Sequence, residues 1–114
     1  MAIKQLSVFV ENKEGTLAVV TDAIAQCDID IRAMSVADTQ EFGIVRLIVN
    51  DFEAAKEKLM AKDLFVSATD VVGVAVEDKP GGMAKVVRLL ADNNINLDYM
   101  YAFVTVAKAH ACVV

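Results

Sequence analysis

The chain has 114 residues, enough for one compact domain or two very small ones. Hydrophobic residues make up 56% of it and charged residues 24%, which excludes global disorder. Its net charge of −5 argues against nucleic acid as a partner, because phosphates attract a basic surface. No apolar run is long enough for a membrane helix, and no secretion signal is recognisable, so we expect a cytoplasmic protein without membrane contact.

The first elements are a strand, a helix and a second strand. Residues Ile3–Val10 are rich in β-branched residues and alternate in part, which predicts a strand. After a polar break that ends at Gly15, a helix with an apolar stripe is predicted to end at Gln26 or Asp28. The stripe consists of Leu17, Val20, Ile24 and Cys27. The alternation over Ile29–Val36 predicts the second strand.

The next elements complete a known supersecondary order. Gly43–Val49 is nearly all apolar and predicts a central or doubly buried strand. Asn50 or Asp51 is placed to cap a second helix. We expect Phe65–Val76 to form consecutive strands, divided at Gly73, that link two repeats. The resulting order, βαββαβ, predicts an α+β protein of the ferredoxin-like class.

The sequence repeats itself at a distance of 66 residues. The residues identical at this shift lie in the loop, the helix and the next strand of each copy: Glu11, Lys13, Gly15, Ala18, Val20, Ala25 and Ile29. Because this register passes through several elements without a gap, we interpret it as a tandem duplication.

The repeat predicts two domains, 1–70 and 71–114, of which the second is incomplete. In that second copy we expect a strand over Val71–Val76, a helix over Gly82–Asn93, a strand over Asn94–Val104 and the beginning of another from Ala109. This β-α-β-β order leaves out a helix and a strand, which uncovers part of the sheet. The chain is then either shortened at this end or covered by a partner chain.

A polar loop recurs between the first strand and the first helix of each copy, at 11–18 and 77–84. Gly15 and Gly81 permit unusual dihedral angles or the close approach of a ligand. The free N–H groups at the start of the following helix attract a carboxylate. A simple strand-to-helix turn explains one such loop equally well, whereas two copies with the same chemistry favour a function.

The loop at 77–84 and the segment Asn94–Phe103 resemble those of ACT domains, and the whole chain resembles a small stand-alone protein of two ACT domains. The resemblance implies a non-catalytic regulatory module that binds a small ligand, usually an amino acid, between ACT units and needs no cofactor. Its site residues, carried over by motif position, are Asn12, Gly15, Thr16, Leu17, Asp30 and Ile31 in the first copy, and Asp78, Pro80, Gly81, Gly82, Met83, Asn96 and Leu97 in the second. In the first loop Glu14 replaces the proline and Thr16 the second glycine, so the second loop is the better candidate.

Catalysis and metal binding have little support in the sequence. The single histidine, His110, has no evident nucleophile or orienting partner, and no phosphate-binding or nucleophile-elbow motif occurs. His110 and Cys112 are only two potential ligands, too few for a closed zinc site. We therefore expect no catalytic residue, no metal site and two reduced, buried cysteines.

Assembly is the remaining expectation. The alternation from Ile95 to Phe103 predicts an apolar strand face that requires a partner surface. We therefore expect a homodimer or a higher homo-oligomer. A dimerisation module that binds no ligand is the alternative function.

Overall fold

The computed structural model describes residues 2–11, 13–38, 42–77, 79–104 and 109–113. Its contacts divide the chain into an N-terminal unit, residues 4–69, and a C-terminal unit, residues 1–3 and 70–114. The fold is α+β and ferredoxin-like, as the sequence predicts.

The N-terminal unit has the complete βαββαβ order. Its elements are β1 (Ala2–Glu11), α1 (Thr16–Gln26), β2 (Ile31–Asp38), β3 (Phe42–Val49), α2 (Phe52–Ala61) and the first half of β4 (Phe65–Val76). The antiparallel sheet has the order β2-β3-β1-β4, which confirms that β3 is a central strand. Residue Asp51, one of the two predicted caps, begins α2 and accepts a hydrogen bond from the N–H of Ala54 at 3.3 Å.

One hydrophobic core lies between this sheet and its two helices. The sheet contributes alternate residues of β1 and β3, because successive side chains of a strand point to opposite faces. The helices contribute residues at helical spacing, among them Val20 and Ile24 of the predicted stripe, whereas Cys27, which was predicted to be buried, is exposed because it follows the last turn of α1. The fully buried members are Leu6, Val8, Val20, Ile24, Val45, Leu47, Ala55 and Leu59.

The C-terminal unit contains the second half of β4, α3 (Gly82–Asp92), β5 (Met100–Val104) and β6 (Ala109–Val113). Strand β6 pairs antiparallel with both β4 and β5, so it lies between them. Among the side chains of this unit that the structure describes, which exclude those of 104 and 109–113, only Val71 and Val76 are buried and hydrophobic.

Two predicted strands have different limits in the structure. Phe65–Val76 is one continuous strand, because Gly73 stays within the strand hydrogen-bonding pattern and makes no break. The strand predicted over Asn94–Val104 begins only at Met100. Residue Asn94 has a φ of 59°, a left-handed conformation that ends α3, and 95–99 have no regular structure. The predicted apolar strand face is therefore reduced to its last residues.

Each of the three described helices is followed by a residue in the left-handed conformation, as in the Schellman motif. Residues Asp28, Asp63 and Asn94 have φ values of 56°, 60° and 59°. In each case the next N–H donates back to a carbonyl in the last helical turn, as from Ile29 to Ile24 at 3.4 Å. The residues at 28 and 94 occupy equivalent positions of the repeat.

Candidate ligand site

The two repeated loops have the same backbone hydrogen bonds. In the first loop the N–H of Lys13 donates to the carbonyl of Glu11 at 2.9 Å. In the second loop the N–H of Lys79 donates to the carbonyl of Glu77, also at 2.9 Å. The side chains pair as well, with ammonium-to-carboxylate distances of 3.0 Å and 2.7 Å. The repeat is therefore preserved in the geometry of the loop.

Each loop ends in a left-handed glycine that precedes the helix. Gly15 has a φ of 85° and Gly81 a φ of 86°, values that glycine adopts without steric cost. No side chain caps either α1 or α3. Since the first N–H groups of a helix have no partner within it, both helix starts are suited to an acceptor such as a carboxylate.

The next position separates the two loops. The hydroxyl of Thr16 donates to the carbonyls of Glu11 and Lys13, at 2.8 Å and 2.9 Å. Its counterpart Gly82 is buried, and a side chain there would collide with the carbonyl of Glu77. Both residues thus fix the shape of their loops, whatever else they contact.

A cavity of about 590 Å³ adjoins the first loop, and we call it the first cavity. It is formed by the end of β1, the loop, α1, the start of β3 and the turn from α2 into β4. Its lining residues are Phe9, Val10, Glu11, Lys13, Thr16, Val19, Phe42, Asp63, Leu64 and Phe65. This volume lies within the range of small-molecule sites.

A second cavity, of about 520 Å³, adjoins the second loop. It is formed by the end of β4, the loop and one side of α3. Its lining residues are Ala75, Val76, Glu77, Lys79, Pro80, Gly81, Gly82, Lys85, Val86, Arg88, Leu89 and Asp92. The repeat relates much of this lining to that of the first cavity. The equivalent pairs are Phe9 and Ala75, Val10 and Val76, Glu11 and Glu77, Lys13 and Lys79, Thr16 and Gly82, and Val19 and Lys85.

The structure brings together some of the residues proposed from the sequence. Thr16 lines the first cavity, and Pro80, Gly81 and Gly82 line the second. The proposed residues that line neither are Gly15, Leu17, Asp30, Ile31, Met83, Asn96 and Leu97. Residues Asn12 and Asp78 lie outside the described residues, as do the side chains of His110 and Cys112.

Two of the proposed residues make contacts of their own. The N–H of Asp30 donates to the amide oxygen of Asn50 at 3.0 Å, which joins the start of β2 to the residue before the α2 cap. The amide of Asn96 donates to a carboxylate oxygen of Asp98 at 3.3 Å, and both side chains are exposed.

Sequence reasoning missed the residues that the sheet brings to the loops. Phe42 begins β3, and its Cα is paired with that of Glu11, so it lies beside the first loop. Phe65 begins β4, and its ring centroid is 5.4 Å from that of Phe9. The βαββαβ order could have indicated them, because the end of β1 lies beside the starts of β3 and β4, its two neighbours in the antiparallel sheet.

Glu14, which argued against the first loop, does not line the first cavity. Its side chain is exposed. The preference for the second loop stays a prediction.

The described residues form neither a metal cluster nor a membrane-spanning helix. No group of three or more His, Cys, Asp or Glu side chains in this part of the chain is placed to hold a metal ion. None of its helices is long and apolar enough to cross a membrane.

The comparisons with known proteins agree with this fold. The family model described as "ACT domain pair" matches residues 1–113. The crystal structure of a Bacteroides thetaiotaomicron protein has a TM-score of 0.92 at 38% identity, over 100% of this chain and 79% of that chain. The regulatory subunit of aspartate kinase from Thermus thermophilus has a TM-score of 0.68 at 17% identity, over 96% of this chain and 80% of that chain, which shows similarity of fold alone. Curated proteins gave no match.

Proposed function

The chain belongs to the family of ACT domain pairs, and we propose that it is a regulatory module that binds an amino acid at its repeated loops. ACT domains are non-catalytic regulatory modules, and members of the family bind amino-acid ligands and oligomerise. The proposal for this chain is therefore binding without catalysis.

The recurrence of the cavity carries the proposal. Two loops of equivalent sequence adjoin two cavities with equivalent lining positions, in two separate units. A turn that served only to connect a strand to a helix has no need to keep a cavity beside it. The repeated cavity therefore supports ligand binding as the common property of both loops.

The chemistry of the loops suits a zwitterion. Each cavity wall carries a glutamate and a lysine, at 11 and 13 or at 77 and 79, beside an uncapped helix start. The lysine and the glutamate of each wall pair with each other, at 3.0 Å or 2.7 Å, and a zwitterion can replace both partners: its carboxylate is attracted by the helix start and the lysine, and its ammonium group by the glutamate. An α-amino acid carries both groups on neighbouring carbons, and the cavities have room for its side chain.

The test is calorimetry and thermal unfolding with each of the twenty amino acids. A ligand that binds only the folded chain stabilises it by about 2.7 kcal/mol at a hundredfold excess over Kd. Val19 and Lys85 are equivalent exposed positions that line the two cavities. Val19→Tyr and Lys85→Tyr each fill one cavity and should each remove the binding at that cavity, so the double variant should bind no amino acid.

Matched controls are available at another equivalent pair. Ala25 and Ala91 are exposed on the same helices and line neither cavity. Ala25→Tyr and Ala91→Tyr should leave the affinity unchanged. Absence of binding by every amino acid would contradict the proposal, as would binding that survives in the double variant Val19→Tyr/Lys85→Tyr.

Assembly without a ligand is the second candidate function. The observation that favours it is the exposure of Leu89 and Ile95, two large apolar residues of the C-terminal unit. We propose a homodimer or higher homo-oligomer in either case, with about 1,000 Å² or more buried at the contact. Sedimentation as a monomer at micromolar concentration would contradict this assembly and leave ligand binding to be judged by calorimetry.

A further inference from the structure

The first cavity is aromatic, whereas the second is not. Three of the five phenylalanines of the chain, Phe9, Phe42 and Phe65, line it. The residue equivalent to Phe9 in the second cavity is Ala75, and no described residue of that lining is aromatic. The two cavities therefore differ in the aromatic content of their linings.

The aromatic rings have the geometry that aromatic pairs prefer. The rings of Phe9 and Phe65 meet edge to face, with centroids 5.4 Å apart and planes at 68°. Phe42 and Phe65 keep 53% and 69% of their surface exposed. A planar ring bound among these side chains would remove apolar surface from water on both sides and add aromatic contacts.

The polar wall of the first cavity complements the charged end of an amino acid. The carboxylates of Glu11 and Asp63 suit an ammonium group, and the ammonium group of Lys13 suits a carboxylate. The hydroxyl of Thr16 donates to two loop carbonyls, so it serves the loop. Opposite charges and an aromatic wall thus line one cavity.

We propose that the first cavity binds an α-amino acid with an aromatic side chain. The inference rests on the proposed function, because it names the ligand class for one of the two cavities. A second copy of the chain is the competing occupant of the aromatic surface, and the experiment below distinguishes it from a bound amino acid.

The absence of tryptophan from the sequence gives a direct assay. L-Tryptophan is titrated with the protein, and its fluorescence, excited selectively, reports only the ligand. L-Phenylalanine should compete, and L-leucine and L-glutamate should compete at least about tenfold less well, the effect of roughly 1.4 kcal/mol of aromatic contact.

Substitutions at the exposed rings locate the binding. Phe42→Ala and Phe65→Ala should each weaken L-tryptophan binding about tenfold, and Phe42→Leu should restore only part of the loss. Val36→Ala and Met60→Ala remove exposed apolar side chains of the same unit that do not line the cavity, so they should have no effect. Lys85→Tyr, in the second cavity, should also have no effect on this ligand.

The outcomes separate this inference from the proposed function. If amino acids bind but aromatic ones bind no tighter than L-leucine, or if Lys85→Tyr abolishes the signal, the inference is wrong and the proposed function stands. If Phe42→Ala changes only the sedimenting mass, the aromatic surface is a contact between copies and the inference is overturned. If none of the twenty amino acids binds, the proposed function fails first.

Discussion

The two units differ far more in burial than in sequence pattern. Among the side chains that the structure describes, which exclude those of 104 and 109–113, thirteen of the fifteen that are buried and hydrophobic belong to the N-terminal unit. Ala23 of α1 is 1% exposed, whereas its counterpart Leu89 of α3 is 63% exposed. The residue that follows the left-handed helix end shows the same contrast, because Ile29 is 8% exposed and its counterpart Ile95 is 52% exposed.

This difference separates the features that the repeated sequence defines from the burial that depends on contacts between elements. The repeated sequence is enough to define the loop, the left-handed glycine, the helix and its end in both units. In the N-terminal unit α2 and the strand that follows it also contact the core that buries the apolar stripe of α1. Local pattern therefore sets the elements, and contacts between elements supply the burial.

The largest expected effect tests this difference at the helix stripe. Ile24 is fully buried, and its counterpart Leu90 is half-buried. Ile24→Ala should lower the free energy of unfolding by about 2–5 kcal/mol, because it leaves a cavity in a closed core. Leu90→Ala should cost less than half as much. Chemical denaturation of both variants is the measurement, and equal losses would mean that the two units are equally packed.

The second prediction concerns the equivalent residues Gly82 and Thr16. Gly82→Ala should cost about 1–3 kcal/mol, because its methyl group collides with the Glu77 carbonyl and the backbone must move. Thr16→Ala should cost less, about 0.5–1.5 kcal/mol, since it removes only a hydroxyl hydrogen bond. Unfolding curves decide the order, and a tolerated Gly82→Ala would show that the second loop can relax.

A third prediction concerns α2, a helix of the N-terminal unit. Asp51→Ala removes the side-chain cap of α2 and should cost about 1 kcal/mol. Glu57→Ala, at an exposed position of the same helix, is the control and should change stability by less than about 0.5 kcal/mol. If the two variants unfold alike in urea, the cap contributes nothing to the N-terminal unit.

The smallest effect concerns the shared helix ends. Asp28→Gly and Asn94→Gly relieve a left-handed conformation, which glycine adopts most easily. We expect a gain of up to about 1 kcal/mol at position 28 and less at 94, because asparagine tolerates this conformation better than most residues. Thermal unfolding is sufficient to rank them, and a loss at both positions would assign the side chains a stabilising role.

The sequence predicted the fold well because the fold depends on local signals. Hydrophobic periodicity predicted β1 and α1. The sequence repeat then predicted α3, because it aligns the sequence of α3 with that of α1. The error at Asn94–Val104 arose because alternation was counted through 95–99, which directly follow a left-handed helix end. The break expected at Gly73 failed because a glycine inside a strand need not end its pairing.

The sequence predicted only those residues of the candidate site that are adjacent to one another in the chain. Loop residues such as Gly81 and Pro80 were found because they are adjacent in sequence and repeated. Phe42 and Phe65 were not found, because their proximity to the loop follows from strand pairing, which sequence spacing does not reveal. Sites formed by strand ends therefore need the topology before their residues can be named.

The continuous strand β4 has a consequence for the order in which the chain folds during synthesis. Its first half neighbours β1, which has already been made, so the N-terminal unit can close once about the first 70 residues have left the ribosome. Its second half pairs with β6, so Val72 has no partner in β6 until Val113 has been synthesised. Until then that edge offers open hydrogen-bonding groups to other nascent chains, so aggregation during translation should depend on how quickly the ribosome reaches β6.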